Sequence, residues 1–164
     1  SLHDALPISC GVYGYTDAVA QALRDRIGTT LAANPLAIAA LAAALAHLHT
    51  PATYRLMEQR AAQLAAGIEA ALQRHGIPWQ VSRVGARLEF GPAPAPRTGR
   101  QSMDSIDHAL EGALHLYLLN RGFLLTPFHN MMLASTVTTE GQVDAFLATF
   151  DTALGEFAPL MGAR

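Results

Sequence analysis

The side chains able to do chemistry fall in three places. A turn, Gly28-Thr29-Thr30, precedes Asn34-Pro35, a cap-and-proline pair that opens a helix. A helix N-terminus with free N–H groups and nearby hydroxyls can hold an anion, so this turn could seat a phosphate. Gly-Thr-Thr reads equally well as a structural turn, with Asn34 a pure cap. His129-Asn130 follows Pro127 between two apolar runs. Functional polar residues often sit in such loops, although Asn also favours turns through its local hydrogen bonding. Seven histidines invite a metal reading. His47 and His49 lie on different faces of a helix, and His108 and His115 are about two turns apart with no partnering Cys. None of these has zinc-ligand spacing, so no metal is expected. Cys10 is the only cysteine and has His and Asp near it only in the first nine residues; a small buried residue is its expected role. All 11 basic residues are Arg, and the chain contains no Lys.

The elements that must position these residues follow from apolar periodicity. Val12-Tyr13-Gly14 reads as a short strand or turn. Thr16-Asp17 then starts a helix whose stripe is Val19, Leu23 and Ile27. A second helix runs from Pro35 to about His47 and is Ala-rich nearly all round, which implies burial against several neighbours. Thr50-Pro51 repeats the cap-then-proline signature, and the helix it opens carries Met57, Ala61, Leu64, Ile68 and Leu72 before Gly76 ends it.

Residues 79–90 alternate as a strand in two phases, with a slip at Ser82-Arg83 beside Gly85 that suggests a bulge or bend. Residues 91–103 read as a loop on their prolines and polar breakers. A helix from about Asp104 carries Ile106, Leu110, Ala113, Tyr117 and Leu118, closing at Gly122. Phe123–Thr126 and Met131–Ser135 read as two short strands around Pro127. Thr139 with Gln142 resembles a capping box for a last helix striped by Val143, Phe146, Phe150, Leu154 and Phe157. The order predicts an α/β layer with a small mixed or antiparallel sheet covered by helices; segments 79–90, 123–126 and 131–135 should pair in it.

At 164 residues the chain fits one domain-sized body. A 51% hydrophobic, 15% charged composition excludes a disordered chain. A net charge of −2 gives no electrostatic reason to expect nucleic acid or an anionic membrane as partner. The longest apolar stretch, Leu36–Leu48, is shorter than the ~20 residues of a membrane span. With no basic n-region at the start and a single Cys, the expected setting is cytoplasmic.

Three segments carry a family likeness. Thr29-Thr30-Leu31-Ala32-Ala33-Asn34-Pro35-Leu36-Ala37 resembles the Gly-Thr-Leu-x-Gly-Asn-Pro-Leu-Ala segment of class III aminotransferases and glutamate-1-semialdehyde aminomutases. Leu116 to Pro127 looks like that family's C-terminal helix leading into a strand. Ser135 to Asp144 is similar to the stretch that opens its last helix, and Arg83-Val84-Gly85 matches the bent strand between. The segments occur in family order and spacing over about residues 10–158.

The resemblance implies fold type I of the pyridoxal-phosphate (PLP) enzymes. Residues 10–34 would be a remnant of the PLP-binding large domain, 35–50 a linking helix and 51–164 the C-terminal small domain. It implies a parent that moves an amino group between small-molecule donors and acceptors, as a homodimer. The family's phosphate-binding threonine falls on Thr30, with Thr29 replacing the glycine before it; Ala33 replaces the later glycine.

The family's cofactor lysine would fall near position 2. There the chain reads Ser-Leu-His-Asp-Ala-Leu-Pro-Ile-Ser, which is unlike the family and resembles translated sequencing-adapter DNA joined at about Ser9 or Cys10. PLP enzymes use a lysine amine to hold the cofactor and to transfer protons, and Arg, always protonated, cannot replace it. The expectation is an inactive fragment with no catalytic residue of its own. The competing reading is a non-catalytic α/β ligand-binding or interaction domain.

Overall fold

The computed structural model describes residues 15–23, 34–92, 94–126 and 130–161. The chain divides between Thr50 and Pro51 into two units.

In the first unit, α1 (Asp17–Leu23) starts at Thr16, whose carbonyl accepts the Ala20 N–H at 2.9 Å. α2 (Pro35–His47) starts at Asn34, as its sequence predicts, and none of its residues is buried. The strand or turn expected at 12–14 and the end of the first helix at Ile27 lie outside the described residues.

The second unit is an α/β layer. α3 (Pro51–Arg74) opens on Pro51, and Gly76 follows it at φ 64°. Next come β1 (Trp79–Val84), β2 (Arg87–Pro92), α4 (Gly99–Asp104), α5 (His108–Leu119), β3 (Met131–Leu133) and α6 (Glu140–Met161). The strands form one antiparallel sheet in the order β1-β2-β3, which is the small helix-covered sheet expected from the sequence.

Four local readings are corrected. Residues 79–90 are not one bent strand but part of a hairpin. Val84 pairs with Arg87 across Gly85-Ala86, and Gly85 takes φ 58°. A glycine with positive φ at the first of two loop residues matches the right-handed twist of the flanking strands. The change of phase is therefore the turn itself, and Val84 is 83% exposed while Leu88 is buried.

Residues 123–126 form no ladder. Their link to β3 runs through the Thr126 hydroxyl, which accepts the Met131 N–H at 3.1 Å and donates to the Met131 carbonyl at 3.0 Å.

The expected loop 91–103 contains the end of β2 and most of α4, which is capped by Thr98 accepting the Gln101 N–H. The following helix starts at His108, not Asp104, because Asp107 caps it through the Leu110 N–H.

The core lies between the sheet and α3, α5 and α6, with Ile68, Leu72, Leu88, Leu114, Val143 and Phe150 among its most buried side chains. Phe90 of β2 meets Phe150 edge-on, with centroids 5.0 Å apart. The capping box is present: the Thr139 N–H donates to Gln142 Oε1 at 2.9 Å, and the Gln142 N–H to Thr139 Oγ1 at 3.2 Å.

Candidate functional site

Thr29 and Thr30, the expected phosphate ligands, lie outside the described residues, as do Gly28, Cys10 and His129. The structure describes the helix start beyond them. Asn34 sits at φ −62°, ψ 142°, and its Oδ1 accepts the Ala37 N–H at 2.9 Å, while its carbonyl accepts the Ile38 N–H at 3.0 Å. Pro35 has no N–H to leave unsatisfied. Asn34 is thus a working cap, and the first turn of α2 is locally organised.

Asn130 is the buried polar residue of the loop singled out in the sequence. It is 5% exposed and left-handed at φ 44°. Its Nδ2 donates to the Phe90 carbonyl at 3.3 Å, tying the residue that precedes β3 to the middle strand. Asn tolerates this backbone region better than most residues, so its turn-forming reading has a concrete basis.

A cleft of about 490 Å³ opens between residues 122–126, β3 and the start of α6. Phe123, Leu125, Met132, Val143 and Phe146 give it apolar walls. Its polar groups are already engaged. Thr126 serves Met131, Thr138 Oγ1 accepts the Ser135 N–H at 2.9 Å, and Gln142 belongs to the capping box. The cleft offers shape and apolar surface rather than an acid–base pair.

The described histidines do not converge. Among the described residues no three His, Cys, Asp or Glu side chains form a metal-binding group. His75 Nε2 lies 3.0 Å from Asp151 Oδ1, an oxygen that also receives Arg74. Sequence spacing gave no sign of this pairing, since α3 and α6 are far apart in the chain.

A second tie joins α5 to α6: the Tyr117 hydroxyl donates to Glu156 Oε1 at 2.8 Å, and the Arg121 guanidinium lies 3.4 Å from the Tyr117 ring centre. Desolvation raises the Tyr117 pKa above the usual phenol value, and the hydrogen bond to Glu156 adds to the shift. Tyr117 and Arg121 stand four apart, Arg121 just past the end of α5, a spacing that could have revealed their contact; Glu156 could not have been found that way.

Comparison with known proteins gives the chemical context. The chain is 33% identical over 130 residues to a glutamate-1-semialdehyde 2,1-aminomutase of Thermomicrobium roseum, covering 79% of this chain and 30% of that protein. An aminomutase of Bacillus anthracis is 30% identical over 129 residues, again with 30% of its length covered. Among solved structures, a glutamate-1-semialdehyde aminomutase from Pseudomonas aeruginosa PAO1 in complex with PMP superposes with a TM-score of 0.77 and 40% identity. That match covers 93% of this chain and 32% of the other. A beta-phenylalanine aminotransferase from Variovorax paradoxus, 22% identical with a TM-score of 0.78 over 90% of this chain and 35% of the other, shares the fold. No protein-family model matches the chain. The chain spans about 30% of the length of the curated relatives it matches. Its homologues are glutamate-1-semialdehyde 2,1-aminomutases and aminotransferases, solved examples of which hold PMP or PLP, and its α/β fold is that of fold type I.

Proposed function

We propose that this chain is the C-terminal part of a PLP-dependent aminomutase or transaminase of the class III type. The parent acts on amino acids or related amines and keto acids. The observation that carries the reading is the 40% identity to the Pseudomonas aminomutase across 93% of the chain. In this reading residues 10–34 belong to the end of the cofactor-binding domain, 35–50 link it onward, and 51–164 are the small domain. The parent is a cytoplasmic homodimer without a nucleic-acid or membrane partner.

This chain alone does not fit the cofactor. It has no Lys, while enzymes of this kind use a lysine amine both to hold PLP and to move protons at the substrate carbon. Arginine cannot take over, since it stays protonated. The chain's own contribution is narrower. Thr30, with Thr29 beside it, would offer a hydroxyl to the phosphate near the Asn34-capped start of α2. The rest of the chain packs the small domain. The isolated chain is therefore inactive.

The gene upstream of Cys10 tests this. An in-frame large domain carrying a lysine close to the junction is expected. A start codon there, with no such domain, would instead favour a stand-alone ligand-binding or interaction domain.

A further inference from the structure

We draw no further inference here: the strongest candidate, the apolar cleft between residues 122–126, β3 and the start of α6, has its polar lining groups Thr126, Thr138 and Gln142 already hydrogen-bonded within the chain, and nothing in the structure shows what covers it.

Discussion

Asn130 Nδ2 reaches the Phe90 carbonyl at 3.3 Å from a left-handed backbone, so one side chain joins the residue just ahead of β3 to the middle strand of the sheet. The contact is buried, and a carbonyl left without its donor there loses a hydrogen bond that water cannot readily replace.

Asn130→Ala should therefore lower stability by about 1–3 kcal/mol, from the lost bond and the unfavourable φ together. Asn130→Gly keeps the backbone permitted and removes only the bond, so its loss should be the smaller of the two. Urea unfolding of both variants checks the order. If Gly cost as much as Ala, the backbone contribution would be absent.

Gly67 of α3 lies against Leu147 of α6, and a Cβ added there would fall 2.3 Å from Leu147 Cδ1. Replacing a helical Gly by Ala gains up to about 1 kcal/mol in propensity, while overpacking costs about 1–3 kcal/mol. The clash should win, giving a net loss of about 1 kcal/mol for Gly67→Ala. In a Leu147→Ala background the same change should become stabilising. A double-mutant cycle in urea measures that reversal of sign.

Tyr117 keeps its proton longer in the fold than in the unfolded chain, first through burial and then through Glu156. Its contribution is fully present below the ordinary phenol value of about 10 and is lost as pH climbs through the raised folded value. Unfolding titrations between about pH 9 and 11.5 should show stability falling at the upper end. Tyr117→Phe should flatten that fall. An unchanged pH slope in the variant would remove Tyr117 from the explanation.

Thr30→Val, made in a fusion that joins the N-terminal part of the Pseudomonas aminomutase ahead of Gly28 of this chain, should weaken PLP retention by about 1.5–3 kcal/mol, roughly ten- to a hundredfold in affinity. The cause is loss of a charge-assisted hydrogen bond to phosphate. Equilibrium dialysis of the cofactor is the readout, and equal retention would withdraw the role proposed for this threonine.

What the sequence revealed was governed by short-range chemistry. Asn34-Pro35, the Thr139–Gln142 box and Gly76 mark helix ends within a few residues, and the structure places helix ends there. The hairpin at Gly85 was hidden because a phase slip in alternation arises from a bulge as readily as from a two-residue turn, and Gly-Ala lacks the Asn-Gly signature. Phe123–Thr126 has strand composition but no ladder, because a threonine side chain supplies the link to β3. α4 begins at Gly99, capped by Thr98, in a stretch whose prolines argued only for a loop. In the candidate site, Asn130 was visible as a residue, whereas its partner on β2, 40 positions away, was not.

The packing of α3 against α6 also sets a timetable for synthesis. The stripe Ala61, Leu64, Ile68 and Leu72 is buried in a core that includes Phe146, Phe150 and Leu154. Roughly 80 residues separate Leu72 from Phe150, so at ribosomal rates of about 5–20 residues per second the stripe waits roughly 4–16 s for its cover. Over that interval the nascent chain presents an uncovered apolar helix, which is the kind of surface a holding chaperone binds. A message truncated ahead of the codon for Phe146 would leave that helix without its cover, a substrate for quality-control proteolysis.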